Sequence, residues 1–361
     1  MRMVMVFTLL CSAFIVSSNV FSAEKTSPPP ATQDPVLKNS LAKGFDYLVA
    51  QQDKATGVIG RENKLASTSL AGMAFLSAGN LPGRGKYCRN LELAIEFVVD
   101  KAAAPNGYLS FEASNMYAHG LAMMFLAEAY GTIPVYSPLE RKVRRVLRQA
   151  ANLLEKCQGE EGGWWYNPIK DSGGGGSDIS ITVMETNALR AARVGGISVD
   201  KRVIAKAVQC TKIAQNADGG FSYRVFKNGK NSGGSALPRS AGAVCILLAL
   251  GISADDPAVQ KGLAYLKDNA KEGIPKETGH WYYTAYYLSQ ALFMSGKANW
   301  DAWWPKIRED LLKRQQADGS WKGEGGSAYG TAIALIVLQM PYRFLPLYQE
   351  GITNSETKPR E

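Results

Sequence analysis

One turn signature, Gln-x-x-Asp-Gly-[Gly/Ser]-[Phe/Trp], recurs along this 361-residue chain. It reads Gln215-Asn216-Ala217-Asp218-Gly219-Gly220-Phe221, and it returns as Gln315-Gln316-Ala317-Asp318-Gly319-Ser320-Trp321. A looser copy runs from Gln158 to Trp164, and worn copies sit at Gln51-Gln52-Asp53 to Gly57 and at Asn106-Gly107-Tyr108. Self-similarity at a period of about 50 residues makes the chain an array of supersecondary units, not one irregular domain.

Each unit reads as two helices on either side of that turn. The first is amphipathic: Val143, Val146, Leu147, Ala150, Leu153 and Leu154 share one face of a 3.6-residue period. Ser137-Pro138-Leu139-Glu140 gives its start as a capping box with Pro at N1, and Pro257 and Pro305 mark analogous starts. The second helix is apolar nearly all round, as in Met116 to Tyr130 and Gly242 to Leu250, so it is buried on every side. Gly79, Gly131, Gly195 and Gly251 follow these helices as candidate left-handed caps. Six pairs begin near Val36, Arg89, Ser137, Asp200, Asp256 and Asn299; the fifth keeps only Gly279-His280-Trp281 of the turn. An open solenoid needs polar capping repeats, which are not evident. The expected fold is therefore all-α, an (α/α)6 toroid of six inner and six outer helices. The turn aromatics are expected to pack the core, and the turn Gln and Asp to satisfy helix-end groups.

Arg2, the apolar run Val4 to Val16 and the small residues Ser22 and Ala23 read as a secretory signal over residues 1–23, too short to span a bilayer comfortably. A Pro-rich linker follows over 24–35, then the toroid over 36–348 and a tail over 349–361. The expected location is the periplasm or outside the cell. The net charge of +9 is dispersed, without interleaved aromatics, and does not point to nucleic acid. Beyond the signal, Cys88, Cys157, Cys210 and Cys245 are too few for a disulfide framework in a chain of this size.

The Gln…Gly-Trp turn on six helix pairs resembles the prenyltransferase and squalene-oxidase repeat of squalene–hopene cyclases and protein prenyltransferases. The likeness covers about Val36 to Tyr348, and the ending Tyr342 to Tyr348 resembles exported single-toroid bacterial members. Family cyclases protonate an alkene with an Asp-x-Asp-Asp motif; here Asp178-Ile179-Ser180-Ile181-Thr182 keeps the first Asp only. Family prenyltransferases hold zinc with Asp, Cys and His; Tyr283 stands at the His position and the other ligands have no counterpart, so no metal or other cofactor is expected. The Cys-Gly-Glu-Gln of thioester toroids is absent.

Polar residues on otherwise apolar inner helices are the candidate site. Asp178 and His119 are the catalytic candidates; Arg239, His280, Tyr283, Tyr329 and Glu185 are the candidates for substrate binding. Asp178 also reads as a helix cap, His119 as a bonded core histidine and Arg239 as half of an ion pair. Converging helix N-termini and Arg239 would favour an anionic or polar headgroup. Three functions fit: a terpene cyclase/mutase-like isomerase or lyase acting on an isoprenoid or other lipid-like substrate, a non-catalytic binding toroid, and a polysaccharide-acting toroid using a pair such as Asp178 and Glu185.

Overall fold

The apolar patterning sorts the helices into two layers. A computed structural model describes residues 34–170 and 175–342; the signal segment, most of the linker and the tail lie outside them. Twelve α-helices alternate between the layers among these residues. The outer ones are α1 (Pro35–Ala50), α3 (Cys88–Phe97, continued by a π-helical turn over Val98–Ala102), α5 (Pro138–Cys157), α7 (Lys201–Ile213), α9 (Pro257–Asn269) and α11 (Lys297–Arg314). The inner ones are α2 (Lys64–Ser77), α4 (Met116–Tyr130), α6 (Ile179–Val194), α8 (Leu237–Ala249), α10 (Trp281–Met294) and α12 (Ser327–Gln339).

The inner helices form a closed ring. Each packs on its two neighbours in order, and α12 returns to pack on α2. Outer helices lie mainly against the inner helix that precedes them, and α1 obeys the same rule by packing on α12. Ion pairing of Arg308 with Asp34 and a bond from Ser40 Oγ to Gln315 Oε1 (2.7 Å) fasten this closure. Burial follows the pattern: α4 hides Met116 and everything from Ala118 to Ala129, whereas α5 buries Val143, Val146, Leu147, Ala150 and Leu154 and leaves Arg144 and Arg145 exposed.

At four of the six junctions the turn signature joins one unit to the next. Gln215 Nε2 donates to Gly219 O in its own turn (3.0 Å) and to Ala258 O at the start of α9 (2.8 Å). Gln52, Gln158 and Gln315 repeat the bridge to Asn90, Val203 and Ser40. Gly219 takes φ +88°, and a methyl there would lie 2.5 Å from the Lys261 carbonyl oxygen, so glycine alone lets the turn sit on the next outer helix. Asp218 Oδ1 pins the turn by accepting from Gly220 N (3.0 Å). Trp164 and Trp321 are buried and donate Nε1 to Leu154 O and Leu311 O, back in their own outer helices.

Some local expectations change. Ser137 caps α5 through Glu140 N, but the Glu140 carboxylate receives Tyr130 OH (2.8 Å) rather than closing the box. Pro305 lies inside α11, which starts eight residues earlier after Gly296. Gly79 and Gly251 have positive φ as expected; Gly131 and Gly195 do not, and Gly196 takes the left-handed place in the third unit. A small antiparallel sheet, β1 (Ser177–Asp178), β2 (Arg224–Val225) and β3 (Asn231–Ser232), also appears among the helices. It ties the turn after α7 to the residues that open α6.

Candidate functional site

Where the inner helices begin, the ring encloses a cavity of about 590 Å³ to which all six contribute residues. Tyr117, Tyr166, Tyr283, Tyr329 and Phe111 wall it, with Leu121 and Met184 one turn deeper on their helices. Asn63, Lys64, Glu112, His280 and Glu324 form a polar rim. Lys64 Nζ donates to Glu112 Oε1 at 2.6 Å. Four residues other than glycine have positive φ among the described residues; three of them, Asn63, Glu112 and His280, are on this rim. Backbone held in that region costs free energy and concentrates at functional sites.

The register that places these residues is set by the turns. The backbone N–H of the signature aromatic, or its counterpart, donates to a side chain on the following inner helix: Ile59 to Thr68, Trp164 to Thr182, Phe221 to Ser240 and Trp321 to Thr331. In the second unit Leu109 N donates to His119 Nδ1 (3.0 Å). His119 thus stands where four other units carry a hydroxyl. Burial pushes its pKa down to about 3, so the ring is neutral. The residue two places earlier lines the cavity in five units: Ala66, Tyr117, Ser180, Pro238 and Tyr329.

Of the residues singled out in the sequence, His280, Tyr283 and Tyr329 line the cavity. Asp178 sits behind its wall as the cap of α6. Oδ1 accepts from Ser180 N (2.7 Å) and Ile181 N (3.2 Å), and Oδ2 accepts from Tyr166 OH (2.9 Å), which also bonds Tyr223 OH (2.8 Å). Arg239 follows the wall residue Pro238 but turns outward. Its guanidinium donates to Phe221 O and Gly234 O and lies 5.9 Å over the Tyr223 ring. Glu185 is buried between the layers against Gly120, with both oxygens unpartnered. Burial raises its pKa well above the usual carboxylate range. Asp178 and Glu185 therefore do not face one cleft, and Arg239 and His119 do not reach the cavity.

Tyr117, Tyr166 and the rim residues Asn63, Lys64, Glu112 and Glu324 were not singled out from the sequence. Tyr117 falls two places before His119, the residue that binds the turn N–H. No cluster of His, Cys, Asp or Glu suited to a metal occurs among the described residues, and the four cysteines there are free. No described helix is long and apolar enough to cross a membrane.

No family model matches the chain. Squalene–hopene cyclase of Zymomonas mobilis is 26% identical over 268 residues, which are 68% of this chain and 39% of that protein. The chain thus spans about two fifths of that relative's length. The type II terpene cyclase MstE from Scytonema superposes with a TM-score of 0.57 at 15% identity, covering 86% of this chain and 98% of its own. Cellobiose 2-epimerase from Bacillus thermoamylovorans gives 0.63 at 13% identity over 85% and 98% of the two chains. A family 76 glycoside hydrolase (mannosidase) from Bacteroides thetaiotaomicron gives 0.62 at 9% over 84% and 98%. The class defined by the fold is the α/α toroid. Within that class the sequence similarity runs to squalene–hopene cyclase, while the fold itself is shared with the type II terpene cyclase, the epimerase and the glycoside hydrolase alike.

Proposed function

We propose that this chain is an exported toroid whose central cavity binds an isoprenoid or other lipid-like molecule. The carrying observation is the cavity of about 590 Å³, walled by five aromatic rings above Leu121 and Met184. Its size is that of small-molecule pockets, and aromatic walls suit an unsaturated apolar chain. The likeness to squalene–hopene cyclase supports the ligand class. The signal-like segment from Arg2 to Ala23 supports export.

Binding is favoured over proton-initiated cyclisation. Cyclisation needs a carboxylic acid that offers its proton to an alkene. Both oxygens of Asp178 are used as acceptors, two backbone N–H groups on one and a phenol on the other. Asp178 also stays behind the cavity wall and does not line the space where an alkene would lie. Glycan hydrolysis is supported less, because it requires two free carboxyls across one cleft, and of the two rim carboxylates, Glu112 and Glu324, the first is tied to Lys64.

Thermal unfolding with added ligands tests this reading. Isoprenoids of fifteen to thirty carbons are expected to raise the midpoint by a few degrees, since a ligand at 100 times its Kd adds about 2.7 kcal/mol. Manno- and cello-oligosaccharides are expected to leave it unchanged. Stabilisation by the sugars alone would overturn the proposal.

A further inference from the structure

One group in the cavity wall has no structural role to satisfy it. Tyr283 stands in the first turn of α10, is 8% exposed and packs its ring against Tyr287 at 4.7 Å. Its Oη is buried and makes no hydrogen bond. A buried hydroxyl left in this state carries an uncompensated desolvation cost, whereas phenylalanine would fill the same space without it. Two neighbouring phenols are matched: Tyr287 OH meets Met184 Sδ at 3.2 Å, and Tyr166 OH meets Asp178.

The surroundings of Oη are arranged for a polar atom that is not the protein's own. On one side is Gly242, where even a methyl group would come within 3.0 Å of Oη, so α8 offers no partner. Ser180, Tyr117 and Tyr329 line the same cavity, and none of them makes a hydrogen bond to Oη. Burial keeps the Tyr283 phenol protonated and hence a donor. The cation among the lining residues, Lys64, is already paired with Glu112. A phosphate or diphosphate, which calls for unpaired Arg or Lys, is therefore not matched.

We propose that Tyr283 Oη donates a hydrogen bond to a neutral oxygen at the buried end of the ligand, so that the cavity selects an oxygen-bearing isoprenoid, an alcohol or ketone, over the corresponding hydrocarbon. This rests on the lipid-binding reading above and narrows its ligand class. The other occupant that could satisfy Oη is a buried water held by the surrounding hydroxyls; a protein that keeps such a water gains nothing from an oxygen on the ligand.

The test compares geranylgeraniol with its deoxy analogue, the same twenty-carbon chain ending in a methyl group, both delivered from cyclodextrin. Affinities are measured by quenching of tryptophan fluorescence for the full chain and for Tyr283→Phe. The wild type is expected to prefer the alcohol about tenfold, the equivalent of one hydrogen bond at 1.4 kcal/mol per decade. Tyr283→Phe is expected to bind both equally, through weaker binding of the alcohol alone. It should unfold at the same temperature as the wild type or higher, because it removes an unpartnered hydroxyl. If the wild type binds both chains equally, the inference falls while the lipid-binding reading stands. A preference that survives in Tyr283→Phe, or a clear loss of stability in that variant, also overturns the inference. If neither chain binds, both the inference and the reading beneath it fail.

Discussion

His119 does with an imidazole what Thr68, Thr182, Ser240 and Thr331 do with a hydroxyl. The exchange makes one turn sensitive to acid. With a folded pKa of about 3 against an ordinary 6.5, the unfolded chain takes up the proton first. His119 thus contributes its full stability above pH 6.5 and loses it as pH falls towards 3. Glu128 acts with the opposite sign. Burial raises its pKa to about 7, partly offset by Arg190. Its burial is free of ionisation cost below pH 4.5, and stability falls as pH climbs from there through 7. Buried Glu185 adds to the same loss. Each group contributes a slope of roughly 1.4 kcal/mol per pH unit, but between pH 4.5 and 6.5 the two oppose each other, so denaturant midpoints measured from pH 3 to 8 separate them only through the variants. Glu128→Gln should flatten the upper limb and His119→Thr the lower one. His119→Ala should in addition cost about 1–3 kcal/mol at pH 7, because it strands Leu109 N–H.

At the scale of elements, the turn is the unit of assembly. Gln215→Ala should cost about 1–3 kcal/mol, since the carbonyls of Gly219 and Ala258 lose a shared donor. Gly219→Ala should cost more than about 2 kcal/mol, from a left-handed backbone and the contact with Lys261 O. Equilibrium urea unfolding measures both; a change below half a kcal/mol in either would mean that the turns do not couple the units. These turns also explain what could be read in advance. The helix pairs and their layers follow from periodicity, which acts within one helix. The cavity depends on which way each inner helix is rotated, and the turn N–H fixes that by binding Thr68, Thr182 or Ser240. Tyr117 escaped notice because that bond joins residues 9 to 19 positions apart and leaves no pattern in hydropathy, and Tyr166 because it lies between α5 and α6, outside any helical period. His119 and Glu185 drew attention as polar residues in apolar helices, yet their side chains lie on the faces turned from the cavity.

Seen as a whole, the ring is not equally tight all round. Gln–Gly bridges fasten α1 to α3, α5 to α7, α7 to α9 and α11 back to α1. Between α9 and α11 the signature is missing, and Gly273 and Gly279 face open space where a side chain would project. Lys306, exposed, reaches the Lys271 carbonyl across this seam. Amide exchange should therefore be faster over residues 270–280 than over the turns at 158–164, 215–221 and 315–321. Gly279→Ala should change stability by less than about 0.5 kcal/mol. Uniform protection of all these turns would show that the ring opens only as a unit.

The return of α12 to α2 also bears on how such a chain can change over time. A linear stack of repeats can be lengthened or shortened by one unit, because a new unit only has to match the face it stacks on. Here a seventh helix pair, inserted at any junction, would have to fit two faces at once, and the rotation between units that closes six would have to change all round the ring. The number of repeats is thus fixed by geometry, so duplication is not open to this chain as a way of diversifying. Variation has to come instead from the loops and first turns around the mouth, where Asn63, Glu112 and His280 already depart from ordinary backbone.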